Sequence, residues 1–110
     1  MKIRIIKKQT LEDFALKNSG SRIGIQNWLL LAKIADWHLP EDIKATFPSA
    51  DLLGKGTSRV VFDIGGNKYR MICEYHFNNN YVRLYINWVG THADYTKLIK
   101  NNLQYTINDY

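Results

Sequence analysis

The sequence predicts an α+β domain in two layers, with helices packed on one face of a small antiparallel sheet, in the order β-α-α-β-β-β. Three observations predict it. In the first half, Ile25, Trp28, Leu29 and Ala32 fall at i, i+3, i+4 and i+7, an apolar stripe along one helix. Beyond residue 58 the period changes to two. Two compact turn signals, Gly65-Gly66-Asn67 and Asn78-Asn79-Asn80, divide that second half into three strands.

Each element has its own local reason. Ile3, Ile5 and Ile6 among Lys and Arg read as an edge strand that lysine protects from mispairing. Thr10 and Asp13 sit at capping-box spacing before a short helix through Leu11, Phe14 and Ala15, which Asn18-Ser19-Gly20 stops. Ser21 is positioned to cap the second helix, which should end near Trp37-His38, ahead of Pro40. Glu41 to Phe47 predicts one or two helical turns with Ile43 and Phe47 inward, broken by Pro48-Ser49-Ala50-Asp51. Gly54 to Ser58 is a flexible basic connection. Residues 59–64, 68–77 and 81–89 are then the three strands, and Thr91 with Asp94 repeats the capping-box spacing ahead of a terminal helical turn. Residues 1–98 form one domain in this reading, and residues 99–110 a loose polar tail.

Composition narrows the class. The chain has 110 residues, 45% hydrophobic and 13% aromatic, enough for one core and too apolar for wholesale disorder. The longest apolar run, Trp28 to Ala32, falls far short of the ~18 residues of a membrane span. The basic N-terminus has no apolar stretch of the kind a secretory signal needs. Cys73 is the single cysteine, so no intramolecular disulfide is expected, and the compartment expected is the cytoplasm. His38, His76 and His92 lack metal-ligand spacing, and neither a metal nor another cofactor is expected.

The net charge is +5 and unevenly spread: +4 over residues 1–8, −2 over residues 9–54 and +3 over residues 55–110. Two basic ends around an acidic middle suggest two surfaces with different partners. Alternation puts Lys68 and Arg70 on one face of their strand with Ile72. It puts Arg83, Tyr85 and Asn87 on one face of the next, opposite Val82, Leu84, Ile86 and Trp88. With Lys55 and Arg59, these bases make a cationic sheet face suited to a phosphate backbone, unless the face is simply solvated. His92, next to the Thr91 cap and three residues before Tyr95, is the acid/base candidate, because imidazole titrates near neutrality.

Val60 to Arg70, in particular Phe62-Asp63-Ile64-Gly65-Gly66-Asn67-Lys68-Tyr69-Arg70, and Trp88-Val89-Gly90-Thr91-His92-Ala93-Asp94-Tyr95 closely resemble the signature of the HigB family of bacterial toxins. Ala35-Asp36-Trp37 and Phe47-Pro48-Ser49-Ala50-Asp51 resemble its middle section. The resemblance runs over about residues 1–98. It implies a RelE-like fold and a metal-independent mRNA interferase that cleaves messenger RNA on the translating ribosome. It also implies a HigA-type helix-turn-helix antitoxin, expected to meet the basic N-terminal strand and the exposed side of the helices. Carried over position by position, it implies catalytic roles for His92, Lys68, Arg70 and Tyr95, and RNA binding by Arg59, to which Lys55 and Arg83 add as neighbouring bases. Asn87 departs from the family pattern, where an arginine often stands, and Arg83 is the candidate to replace it. A non-catalytic nucleic-acid-binding module using the same basic face is the competing reading, and it would not need His92.

Overall fold

The computed structural model describes residues 1–110. Its strands are β1 (Lys2–Ile6), β2 (Asp51–Leu53), β3 (Arg59–Ile64), β4 (Tyr69–Phe77) and β5 (Tyr81–Thr91); its helices are α1 (Lys8–Lys17), α2 (Arg22–Ile34), α3 (Ile43–Thr46) and α4 (His92–Lys100). The strands form one five-stranded sheet in the order β1-β5-β4-β3-β2. The α+β class and the helical layer on the sheet are as expected.

The sheet itself is mixed rather than antiparallel throughout. β1 pairs parallel with β5, Lys2 opposite Tyr81 and Ile6 opposite Tyr85. The chain reaches that position by crossing over through α1 and α2, a connection long enough for a parallel pair. β2, a short edge strand, begins at Asp51, where the sequence predicts a break and no strand. It pairs antiparallel with β3 because Ala50 and Leu53 have apolar sites to fill, at 1% and 9% exposure.

The main core lies between the helices and the first sheet face. Leu11, Ile25, Trp28, Ala32 and Ile43 meet Val60, Phe62, Ile64, Met71, Cys73, Val82, Leu84 and Ile86. Trp28 stacks on Phe47 with ring centroids 5.4 Å apart, and both meet Phe62 edge-on. Burying each such ring contributes roughly 2–3 kcal/mol. Burial also pushes the Cys73 thiol far up, so it remains a neutral core group. α2 ends at Ile34 rather than near Trp37, because Trp37 turns inward: its N–H donates to the Met1 carbonyl and its Nε1 to Thr46 Oγ1. Ser21 does not cap α2 through its side chain; its hydroxyl donates back to the Asn18 carbonyl at 2.7 Å. α1 begins at Lys8, two residues before the expected Thr10 cap, after Lys7 in the left-handed region.

A second, smaller core lies on the other face. Leu53, Val61, Ile72, Trp88 and Leu98 form it, with Tyr95, Tyr105 and Ile107 packed alongside. α4 therefore covers the face opposite the other helices. The switch is made by a bulge in β5. Cys73 pairs with Ile86 and Ile72 with Trp88, which leaves Asn87 without a partner. Trp88, expected beside Val82, Leu84 and Ile86, is thereby turned to the second face. Gly90 makes room for it: a Cβ there would meet the Trp88 ring at 2.5 Å.

The segment after Lys100, expected to be loose, docks against this second face. Arg59 Nη1 donates to the carbonyls of Gln104 (3.2 Å) and Ile107 (2.7 Å). The Asp109 N–H donates to the Asn87 carbonyl at 2.8 Å, and Asn87 Nδ2 donates to Asn108 Oδ1 at 3.3 Å. The bulge and the buried guanidinium hold the strap by polar contacts, Tyr105 and Ile107 by apolar ones. No helix is long and apolar enough to cross a membrane.

Candidate active site

His92 opens α4 at the sheet's upper end. Thr91 caps the helix, its Oγ1 accepting from the Asp94 N–H at 3.1 Å. The His92 N–H is itself tied to the Lys68 carbonyl at 2.9 Å. These bonds fix the backbone on both sides of the imidazole, which is exposed.

Arg70 reaches this ring from β4, where it pairs with Gly90. Its Nη2 lies 3.1 Å from His92 Nδ1. A guanidinium has no acceptor, so Nδ1 accepts and the imidazole proton lies on Nε2. On its far side Arg70 Nη1 lies 2.6 Å from Asp63 Oδ1, with both side chains about one-fifth exposed. Asp63 is the register partner of Arg70 across the β3–β4 hairpin. Carboxylate, guanidinium and imidazole thus form one line of contacts in which each group orients the next.

Tyr95 completes the cluster. It lies one turn along α4 from His92, with the Arg70 guanidinium 5.6 Å from its ring centroid. Its ring packs at 6.1 Å from that of Trp88. Burial raises the Tyr95 phenol above its ordinary value; the Asp51 charge adds to this and the Arg70 charge opposes it. The hydroxyl stays neutral through the physiological range. Lys68 stands in the turn just before β4, exposed beside His92.

His92, Lys68, Arg70 and Tyr95 therefore come together. The other three sequence candidates do not join them. Arg59 is 6% exposed and spends its donors on the strap, with Glu74 3.7 Å from its Nε. Lys55 lies over the Tyr105 ring at 4.9 Å, at the strap's base. Arg83 sits opposite His76 near the far end of β5, about 20 Å from Arg70 at the usual rise per residue. Arg83 thus does not occupy the place of an arginine at position 87, where Asn87 holds the strap.

Alternation and motif do not single out Asp63. Its signal was available in register: a tight turn centred on residues 65–68 sets Asp63 opposite Arg70. Alternation alone puts Trp88 on the wrong face, since only the bulge turns it.

The fold is the α+β arrangement expected of a RelE-like domain. The family model of HigB_toxin, described as the RelE-like toxic component of a toxin-antitoxin system, matches residues 21–98, and the chain belongs to that family. It is 29% identical over 98 residues to the mRNA interferase HigB of Escherichia coli O6:H1, covering 89% of this chain and 93% of that protein. It is 38% identical over 56 residues to the mRNA interferase toxin HigB of Escherichia coli K12, covering 51% of this chain and 52% of that protein.

Proposed function

We propose that this toxin is an mRNA interferase, an endoribonuclease that cuts messenger RNA on the translating ribosome without a metal ion. The observation that carries the reading is the contact of Arg70 with His92 Nδ1, backed by Asp63 and flanked by Tyr95. The names of the relatives support the substrate.

The chemistry follows from RNA itself. The 2′-OH attacks the adjacent phosphorus, the bond from phosphorus to the 5′ oxygen breaks, and a 2′,3′-cyclic phosphate remains. One proton leaves the 2′-OH and one reaches the departing 5′ oxygen. In the resting arrangement Arg70 occupies the Nδ1 lone pair. A bound phosphate competes for the same guanidinium, since a charged pair is the stronger hydrogen-bond partner. That exchange frees Nδ1 to take the 2′-OH proton and leaves Arg70 on the oxygens where charge gathers. The protonated imidazole is then an acid for the 5′ oxygen. Lys68 adds positive charge, and the Tyr95 ring offers a stacking face for a base. The ribosome's contribution is to hold the RNA in the attacking geometry.

The toxin's partner is an antitoxin, for which we infer a HigA-type helix-turn-helix protein. Its contact is assigned to the outer side of α1 and α2, where Leu16, Ile23, Leu30 and Ile34 are 63–81% exposed. The aromatic residues Trp28 and Trp37 face the core and take no part in that surface, at 2% and 1% exposure.

Purified protein should cut mRNA in a reconstituted translation reaction and leave cyclic phosphate ends. The cut should persist when free divalent ions are lowered only as far as ribosome integrity permits. Binding of RNA without any cut, under conditions that arrest ribosomes on the message, would sink the reading in favour of a non-catalytic binding module.

A further inference from the structure

The far half of the second face carries a feature that cleavage does not use. Arg4 of β1 and Arg83 of β5 are register partners across the parallel pair, side by side at a strand spacing of about 4.8 Å. Both are exposed. Both gather on one ring: Arg4 Cζ lies 3.9 Å and Arg83 Cζ 5.5 Å from the Tyr81 centroid. Arg83 Nη2 also donates to the Tyr81 hydroxyl at 3.1 Å.

Neither arginine makes an ion pair, for the molecule's salt bridges lie elsewhere. Glu74, on the same face, is committed to Arg59 and His76. Lys2, opposite Tyr81, adds another exposed cation. Like charges directly across a strand pair destabilise it. An anion supplied from outside relieves that repulsion. Tyr81 and Tyr85 are half-buried, so part of each stays accessible beside the cations, with Arg4 over the Tyr81 ring and His76 edge-on to the Tyr85 ring. Guanidinium for phosphate and ring for base is the chemistry of single-stranded nucleic acid. An acidic peptide would use the guanidiniums and leave the rings idle.

We propose that Arg4, Tyr81 and Arg83 form an RNA exosite that binds the phosphodiester backbone of a single-stranded segment outside the cleaved bond. The inference rests on the RNA-cleaving reading for the identity of its ligand. The strap crosses at Asn87, between this patch and His92, so the exosite is a separate surface and not an extension of the cluster.

The test uses fluorescence anisotropy with a labelled 2′-O-methyl oligouridylate, whose blocked 2′ oxygen prevents cleavage. The Arg4→Gln/Arg83→Gln double variant should bind roughly tenfold more weakly at low salt, and its log–log salt slope should fall by about 1.4, the change for two phosphates on a single strand. Arg4→Lys/Arg83→Lys should keep the slope, which separates loss of charge from loss of fold. Tyr81→Leu should weaken binding with the slope unchanged. Parental affinity and slope in the Gln pair would overturn the exosite. Displacement of the RNA by polyglutamate at matched charge would overturn it too, in favour of an acidic protein partner. The probe is never cut, so a failure of the cleavage reading registers separately, as message left uncut by the parent protein in the translation reaction.

Discussion

Arg70 donates to His92: Nη2 to Nδ1 is 3.1 Å, and the opposite edge of the same guanidinium lies 2.6 Å from Asp63 Oδ1. The histidine is thereby oriented by a group that is itself held. A candidate catalytic group on the first turn of a helix thus gains definition from β3 and β4 as well as from α4.

His92→Gln should keep the fold and lose cleavage. Glutamine can still hydrogen-bond to Arg70 but cannot carry the proton. General acid/base catalysis is worth ~10²–10⁴-fold, so single-turnover cleavage should fall by that range, with an unchanged thermal melt. Full activity in a folded variant would remove histidine from the mechanism.

Arg70→Lys should not rescue the site. Lysine is a point charge and cannot bridge Asp63 and His92 at once. We expect it to resemble Arg70→Ala in cleavage rate. Asp63→Asn should be milder than either, since the guanidinium remains. Rate constants for the three variants, measured with saturating substrate, order the contacts; Arg70→Lys at the parental rate would reduce Arg70 to bulk charge.

Gly90→Ala should destabilise the fold by about 1–3 kcal/mol, the usual cost of overpacking. Its methyl would meet the Trp88 ring, which has Ile72 and Leu98 behind it. Urea unfolding checks the number, and a shift in tryptophan emission should accompany it. Ending the chain after Asn102 should cost roughly 2–4 kcal/mol through the loss of the apolar contacts of Tyr105 and Ile107. The same unfolding experiment reads it, and an unchanged midpoint would mean that the strap adds nothing to the stability of the fold.

Tyr95 gives the fold an alkaline weakness. Its phenol is raised in the folded state, first by burial. The folded state then holds the proton more tightly than the unfolded chain. The resulting stabilisation is complete below the ordinary phenol value of 10.0 and is lost as pH climbs through the raised one. Tyr95→Phe should flatten the decline of stability above pH 10, measured by denaturant midpoints. An equally steep decline in the variant would assign it to Tyr75 and Tyr110, which burial also raises.

The parts legible in sequence were those governed by local period. The stripe of Ile25, Trp28, Leu29 and Ala32, the two hairpin turns and the Thr91 cap all rest on neighbours in the chain, and the structure has them. The gathering of His92, Lys68, Arg70 and Tyr95 followed from alternation plus resemblance to known toxins. What escaped depends on distant partners. Nothing near Ile3 says that β1 runs parallel to β5. A bulge at Asn87 leaves no mark in composition, yet it turns Trp88 to the other face. Arg59 looks like a free base until the carbonyls of Gln104 and Ile107 are found on it.

The parallel pairing of β1 with β5 also sets a timetable. Lys2 to Ile6 leave the ribosome first, yet their partners are Tyr81 to Tyr85. At 5–20 residues per second, the wait is roughly 4–16 s. Meanwhile β3 and β4 can zip as a local hairpin, but the edge strand has nothing to join, and His92 arrives later still. Loop-closure entropy makes such a distant pairing slow even once both partners exist. A chain of this topology completes neither its sheet nor the cluster around His92 until most of its own synthesis is done.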